Sequence, residues 1–182
     1  MRVIAGRAKG VRLGKVPEGT RPVGDRAREG LFSSLADEVE GAVVLDLFAG
    51  TGALGIEALS RGAASVTFVD RSQAAVRAIR TNLEKTRLAE DARVACRPVA
   101  GFLRGPAEPA SLVFLDPPYA IEIDELSQVT GLLESQGWLV EDGWTVVLTR
   151  PAKSYTPVIP VDWSLAKRLD YGDTLIALYR EV

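Results

Sequence analysis

The sequence contains two motifs whose residue types and spacing are typical of ligand binding and catalysis. The first runs from Asp46 to Gly55, reads DLFAGTGALG, and fits the G-x-G-x-x-G pattern of a strand-to-helix turn that binds a nucleotide. Glycines let such a turn be tight and let the ligand come close to the backbone. Asp70 lies 20 residues after Gly50, at the spacing where a carboxylate meets ribose hydroxyls. The pattern therefore predicts a site for the adenosine part of a cofactor.

The second motif, Asp116-Pro117-Pro118-Tyr119, directly follows the apolar run 112–115. An exocyclic amine of a nucleic-acid base is a poor nucleophile, because its lone pair is delocalised into the ring. The Asp116 carboxylate and the Pro117 carbonyl could accept its two N–H bonds and localise that lone pair. Proline fixes the backbone there, and Tyr119 offers an aromatic face to a base taken out of its stack. We predict that these four residues form the catalytic group.

The second motif also decides which cofactor the first one would hold. A nicotinamide dinucleotide and S-adenosylmethionine place adenosine in the same crevice, so the glycine pattern alone fits either. A localised amine lone pair facing a sulfonium methyl predicts methyl transfer from S-adenosylmethionine. We assign the cofactor contacts to the first motif and to the end of the next strand, at Asp46, Phe48, Gly50, Thr51, Gly52, Ala53, Leu54, Asp70 and Arg71.

Alternating strands and helices must position these motifs. Apolar and β-branched runs predict five strands, at residues 42–45, 65–69, 93–96, 112–115 and 144–148. Those at 42–45 and 112–115 have no polar alternation, as expected of parallel strands buried on both faces. Helices are predicted over 25–39 with Asp25 as N-cap, from the glycine turn to near Gly62, from the N-cap Ser72 onwards, and over 126–133. The first helix should bury one face, formed by Ala27, Leu31, Phe32, Leu35 and Val39.

The C-terminal part predicts an antiparallel hairpin. Residues 163–169 and 174–179 are strand-like and flank a turn at Tyr171-Gly172-Asp173. The sequence thus predicts a Rossmann-like class I methyltransferase fold, with a mostly parallel seven-stranded sheet ending in this hairpin. Both motifs then fall at the carboxyl edge of the sheet, where open α/β folds bind ligands.

The composition excludes other chemistries. Cys96 is the single cysteine and histidine is absent, so the chain cannot form an intramolecular disulfide, a multi-cysteine metal site or a histidine base. We predict no metal site. No apolar stretch approaches the ~20 residues that cross a bilayer, and the N-terminus has no signal-peptide pattern. We expect a cytoplasmic monomer with no membrane partner.

The N-terminal region is strongly basic. Residues 1–28 contain eight basic and two acidic residues, although the whole chain has a net charge of −2. Lysine and arginine release counterions when they neutralise phosphates, so this region is a candidate RNA contact, with a solvated terminus as the alternative. We divide the chain into a basic arm or hairpin (1–24) and a catalytic domain (25–182), and Gly6, Gly10 and Gly14 predict that the free arm is mobile. The predicted RNA contacts are Arg2, Arg7, Lys9, Arg12, Arg21, Arg26 and Arg28.

The chain resembles, nearly end to end, the RsmD family of bacterial small-subunit ribosomal RNA guanine-N-methyltransferases. The residues that carry the resemblance are the stretches 1–6, 20–29 (TRPVGDRARE), 46–62, 116–119 (DPPY) and 171–174 (YGDT). The motif at 116–119 is shared with DNA amino-methyltransferases, whereas its combination with the arginine-rich stretch 20–29 is much more specific.

The resemblance implies a function for each stretch. The first motif and Asp70 would hold S-adenosylmethionine, and Asp116 to Tyr119 would hold the amino group of a guanine in 16S ribosomal RNA. The basic arm and the helix after it would contact RNA and the methionine end of the cofactor. The substrate would be ribosomal RNA or a small-subunit assembly particle.

The chain departs from the family pattern at three places. Near position 98 the family often has an acidic or amide residue that can bond adenine, where this chain has Pro98-Val99-Ala100-Gly101. Val23-Gly24 replaces residues that are usually threonines. Thr149-Arg150 stands where the family tends to have a glutamate after the fifth strand.

Other functions fit the residues less well. A carbon-5 cytosine methyltransferase would need a cysteine nucleophile, and we interpret Cys96 as a small buried apolar residue. An oxidoreductase would need a second nucleotide-binding half or a histidine acid–base. A DNA adenine amino-methyltransferase uses the same carboxylate and carbonyl but usually carries a base-reading domain, for which this chain has no spare length. A catalytically silent RNA-binding module remains the alternative from another class.

Overall fold

The computed structural model describes residues 1–15, 22–154 and 158–182. These residues form five α-helices: α1 (Asp25–Leu35), α2 (Ala53–Ser60), α3 (Gln73–Thr86), α4 (Val99–Leu103) and α5 (Ile123–Ser135). They also form seven strands: β1 (Val43–Leu47), β2 (Ser65–Asp70), β3 (Ala92–Cys96), β4 (Leu112–Leu115), β5 (Thr145–Pro151), β6 (Trp163–Tyr171) and β7 (Thr174–Glu181). None of the helices in the described ranges is both long and apolar enough to cross a membrane.

All seven strands join one sheet in the order β3-β2-β1-β4-β5-β7-β6. The first five are parallel to their neighbours, and β7 and β6 add antiparallel pairs at one edge. Every residue of β4 is buried, as the absence of polar alternation predicted. The predicted fold class, a class I methyltransferase fold ending in an antiparallel hairpin, is therefore confirmed.

The helices cover both faces of the sheet and begin where local chemistry allows. The hydroxyl of Ser72 accepts a hydrogen bond from the Ala75 amide at 3.3 Å, which confirms the predicted cap of α3. The predicted cap of α1 is wrong, because Gly24 occupies that position and Asp25 is already helical. The predicted inner face is buried at Ala27, Leu31, Phe32, Leu35 and Val39.

The N-terminal segment, residues 1–15, packs against the catalytic domain, so the prediction that it is mobile is wrong. Val3, Ala8 and Leu13 are 1%, 4% and 6% exposed and belong to the same hydrophobic core as α1 and α2. The segment turns back on itself through an antiparallel bridge between Arg2 and Arg12, as the hairpin alternative predicted. Its apolar side chains decide its position, although basic residues dominate its sequence.

Glu57 of α2 fastens this segment to the domain. Its carboxylate is fully buried and accepts hydrogen bonds from the amides of Ile4 (2.8 Å) and Ala5 (3.0 Å). The next helical turn continues the contact, since the amide of Ala8 donates to the Ser60 hydroxyl at 2.9 Å. A buried acid that receives backbone donors fixes the segment in one place.

Two local features differ from the sequence predictions. The short helix α4 was not predicted, because five residues are too few to show a helical period. Cys96 is exposed at the end of the edge strand β3, so its interpretation as a buried apolar residue is wrong. It does not line the cavity described below, and a cysteine nucleophile therefore finds no support.

Candidate functional site

A cavity of about 460 Å³ opens at the carboxyl edge of the sheet, between the ends of β1, β2 and β4. The chain order reverses between β1 and β4, and such switch points leave a crevice above the sheet. Most of the residues predicted from the two motifs line it: Asp46, Phe48, Gly50, Thr51, Ala53, Leu54, Asp70, Arg71, Asp116, Pro117, Pro118 and Tyr119.

The glycine turn and Asp70 lie side by side. One Asp70 carboxylate oxygen accepts from the Gly50 amide at 2.9 Å, and the other accepts from the Ser72 amide at 2.8 Å. Behind the turn, the side-chain amide of Asn82 donates to the Thr51 carbonyl at 2.9 Å. These bonds hold the turn and the end of β2 in a fixed relation, with the acid half-exposed at the cavity.

The three glycines of the turn have different functions. Gly50 lines the cavity and has a φ of +57°, which glycine adopts without strain. Gly52 also has a positive φ, of +76°, but it caps α2 and does not line the cavity, so its prediction as a direct cofactor contact finds no support. A Cβ atom at Gly55 would lie 2.3 Å from the ring of Phe68, so this glycine allows α2 to pack on β2.

Phe48 is held in a left-handed conformation, with φ of +60°, between β1 and the glycine turn. A bulky residue occupies this region rarely, and the conformation persists only where surrounding structure imposes it. Phe48 lines the cavity, so this strained backbone conformation lies at the candidate site.

Asp116 follows β4 directly and faces the cavity. The Thr149 hydroxyl of β5 donates a hydrogen bond to one of its carboxylate oxygens. Removal from water raises the pKa of Asp116 to about 6, and the bond from Thr149 opposes that rise. Beyond it Pro117 is buried, whereas Pro118 and Tyr119 are exposed at the cavity rim.

A second carboxylate, that of Asp46 in β1, neighbours Asp116 at the cavity. Asp46 is 1% exposed and accepts a hydrogen bond from the Gly55 amide at 2.9 Å. Burial raises the pKa of Asp46 well above its usual value, the Gly55 bond opposes this, and the charges of Asp116 and Asp70 raise it further. Asp46, Asp70 and Asp116 therefore form a cluster of acids whose mutual repulsion raises the pKa of Asp46 further, and a cationic ligand would relieve that repulsion.

Arg28 contradicts its prediction as an RNA contact. It is fully buried and lines the cavity from α1, so no surface phosphate could reach it. One terminal nitrogen donates to the Arg2 carbonyl and to Asp25, both at 2.7 Å. The other lies 3.7 Å from Glu57, and this nitrogen and Nε form no hydrogen bond in the described structure. A buried guanidinium with two unbonded nitrogens has donors left for an anionic ligand.

The remaining predicted RNA contacts are exposed wherever the structure describes them. Arg2, Lys9, Arg12 and Arg26 are exposed. Arg7 is exposed as well, but it also binds the Leu59 carbonyl and lies 3.6 Å from Asp91. Arg21 lies outside the described residues.

Several cavity residues were not predicted from the sequence. They come from the residues just before α1, from the start of α4, and from α5 with the loop before it. Among them are Pro22, Val23, Pro98, Val99, Ile121 and Glu125. Pro22 and Val23 belong to the stretch 20–29 that carries the family resemblance, and positions 23 and 98 are departures from the family pattern. No feature of the sequence had drawn attention to Ile121 or Glu125.

Comparisons with known proteins cover the whole chain. The family model described as Conserved hypothetical protein 95 matches residues 1–180. Ribosomal RNA small subunit methyltransferase D of Escherichia coli K12 is 37% identical over 182 residues, which cover 99% of this chain and 89% of that protein. The protein of the same name from Haemophilus influenzae Rd is 35% identical over 184 residues, covering 99% and 93%.

Solved structures agree with the sequence comparisons. The Escherichia coli protein yhhF superposes with a TM-score of 0.88 at 36% identity, covering 100% of this chain and 97% of that one. The Thermus thermophilus protein TTHA0928 gives a TM-score of 0.82 at 36% identity, covering 100% and 99%. The chain therefore belongs to the RsmD family of small-subunit ribosomal RNA methyltransferases.

Proposed function

We propose that the protein transfers a methyl group from S-adenosylmethionine to the exocyclic amino nitrogen of a guanine in small-subunit ribosomal RNA. The observation that carries this proposal is the position of Asp116-Pro117-Pro118-Tyr119 in the same cavity as the glycine turn and Asp70. A methyl donor and an amine acceptor need adjoining sites, and this cavity offers both.

The lining residues fit S-adenosylmethionine. Asp70 stands where a carboxylate would accept hydrogen bonds from ribose hydroxyls, next to the close-approaching backbone of Gly50. The two unbonded nitrogens of Arg28 offer a buried anion site for the carboxylate of the methionine part. The cluster of Asp46, Asp70 and Asp116 suits a sulfonium cation, because a positive charge would relieve the repulsion among the three acids. When bound, this cofactor supplies an electrophilic methyl group.

The residues of the second motif would prepare the amine. One Asp116 oxygen is occupied by the Thr149 hydroxyl, so the other is left to accept an N–H bond from the base. The Pro117 carbonyl would accept the second N–H bond, and with both engaged the lone pair localises on nitrogen. Tyr119, which is 46% exposed at the rim, offers its ring to the extruded base.

The choice of ribosomal RNA rests on the relatives and on charge. Proteins 35–37% identical over nearly the whole chain are named small-subunit ribosomal RNA methyltransferases. Arg2, Lys9, Arg12 and Arg26 are exposed and form no ion pair in the described part of the chain, so they are available to phosphates.

The test is transfer of a radiolabelled methyl group from S-adenosylmethionine. The acceptors are under-methylated small-subunit particles, naked 16S ribosomal RNA and duplex DNA, and the control enzyme is Asp116→Asn. Digestion of the product to nucleosides should yield N2-methylguanosine from a ribosomal substrate. Label in DNA adenine would support the DNA-enzyme alternative, and no transfer despite RNA binding would support the silent module.

A further inference from the structure

We propose that Thr149 is a positioning residue for this reaction: its hydroxyl holds the Asp116 carboxylate so that one oxygen remains aimed at the amino group of the base. The inference rests on the proposed function and adds a residue that neither motif contains. It starts from a hydrogen bond between two neighbouring strands of the sheet.

The sheet places Thr149 where this contact is possible. In parallel β4 and β5, Leu115 is paired with Leu148, so Asp116 and Thr149 follow each other at the same level of the carboxyl edge. Thr149 is 3% exposed, and its hydroxyl donates to one oxygen of Asp116. A β-branched side chain has few χ1 rotamers, which keeps the hydroxyl in place.

The contact changes what Asp116 can do. A carboxylate that rotates freely presents either oxygen in many directions, whereas one fixed by a buried donor presents the other oxygen in a single direction. Asp116 directly follows β4, and its amide donates to the Leu47 carbonyl at 3.4 Å, so its backbone is tied to β1 while Thr149 holds its side chain. Near-attack geometry is sensitive to displacements of about 1 Å, so this fixation bears directly on rate.

The bond also favours the ionised form that accepts an N–H bond, because a donor stabilises a carboxylate anion. Losing it should raise the pKa of Asp116 further above about 6. The other titratable and charged groups lining the cavity are Arg28 from α1, Asp46 from β1, Asp70 and Arg71 from the end of β2, Tyr119, and Glu125 from α5. None of these residues is replaced in a Thr149 variant. Thr149 bonds to Asp116, whose charge also acts on Asp46, so a shift of the profile that Thr149→Ser reverses would report on Asp116.

The experiment compares Thr149→Val, which keeps the shape and removes the donor, with Thr149→Ser, which keeps the donor. The matched control is Thr145→Val, four residues earlier on the same strand and face; that hydroxyl is also buried but bonds with Glu38 and Arg180. All are assayed for single-turnover methyl transfer to the ribosomal substrate between pH 5 and 8, and for S-adenosylmethionine affinity by calorimetry.

Thr149→Val should lower the rate at neutral pH by about 10–100-fold, as expected for losing one hydrogen bond to a charged group. Its acid limb should move to higher pH by about one unit. Thr149→Ser should recover most of the rate, and cofactor affinity should stay within about twofold of wild type.

Two results would overturn the inference: a Thr149→Val enzyme with wild-type rate and acid limb, or an equal loss in Thr145→Val. If Thr149→Val does not fold, Thr149→Ser still decides, because an acid limb and rate unlike those of wild type would contradict the role of the hydroxyl. The proposed function fails separately, since it would leave the wild-type enzyme itself without transfer to ribosomal RNA.

Discussion

At the scale of single residues, the site depends on how one carboxylate is kept in a protein interior. Asp116 is withdrawn from water, which disfavours its charge, and is bonded to Thr149, which favours it. The balance leaves its pKa at about 6, close enough to neutral for the group to be mostly ionised at pH 7.5. Asp116 is therefore already in the ionised form that accepts an N–H bond at this pH.

This pKa predicts how activity depends on pH. Only the ionised Asp116 has two acceptor oxygens, and its fraction falls as the pH drops below about 6. We expect kcat/KM for the RNA substrate to be level above pH 7. It should fall about tenfold per pH unit well below the pKa, because an enzyme molecule with a protonated Asp116 is inactive. Initial rates in buffers of constant ionic strength measure this. A level profile from pH 5 to 7 would show that Asp116 is not the group that titrates.

Asp70 should act on cofactor binding, both directly and through the glycine turn that its carboxylate holds. Asp70→Ala removes the proposed ribose contact together with the acceptors of the Gly50 and Ser72 amides. We expect S-adenosylmethionine to bind more weakly by about 1–3 kcal/mol, the range for hydrogen bonds to a charged group. Calorimetric titration of Asp70→Ala against Glu84→Ala, an exposed acid of α3, tests this. Unchanged affinity in folded Asp70→Ala would remove this residue from the cofactor site.

At the scale of elements, α2 serves two functions with its two ends. Its first turn, which starts after Gly52, contributes Ala53 to the cavity. Towards its C-terminal end, Glu57 and Ser60 accept hydrogen bonds from the N-terminal segment. Arg28 of α1 connects these ends, because it lines the cavity and also lies against Glu57. The segment, α1 and α2 therefore form one packed unit beside the site.

We expect Glu57→Gln to destabilise the protein strongly. The isosteric amide keeps one acceptor oxygen, loses the other, and removes the negative charge that faces Arg61 at 2.8 Å and buried Arg28 at 3.7 Å. Breaking a buried ion pair by removing one partner costs about 3–5 kcal/mol. Urea unfolding of Glu57→Gln should show this loss. The control Glu84→Gln, at an exposed position of α3, should unfold like the wild type. Equal midpoints for the two variants would mean that the segment is not held by Glu57.

At the scale of the whole molecule, charge is divided between surfaces. The chain carries −2 overall, four acids and two arginines line the cavity, and the N-terminal segment presents exposed cations. A negative cavity beside a positive surface would attract the RNA backbone to the protein while accepting a cationic cofactor. Association with RNA should accordingly weaken steeply with salt.

The exposed cations of the segment can be tested without removing it. Deleting residues 1–15 would expose core residues and leave the Glu57 carboxylate without its two backbone donors, so a loss of binding would be ambiguous. We expect Arg2→Gln/Lys9→Gln/Arg12→Gln to flatten the log–log dependence of RNA affinity on salt by about two units, at 0.7–0.9 per phosphate contact. The control neutralises Lys167 and Arg168 on the edge strand β6. An unchanged slope in the triple variant would make the segment purely structural.

The sheet, its parallel and antiparallel parts, and the two motifs at its carboxyl edge could all be predicted from the sequence. Strand runs, glycine turns and caps are local patterns, and parallel strands bring their ends together whatever the rest of the chain does. Three further features became visible only in the folded chain: Arg28 turns inward, residues 1–15 are docked, and Thr149 bonds to Asp116. These depend on partners 26 to 53 residues away along the chain. A basic side chain looks the same in sequence whether it meets solvent or a buried carboxylate, and packing alone selects between the two.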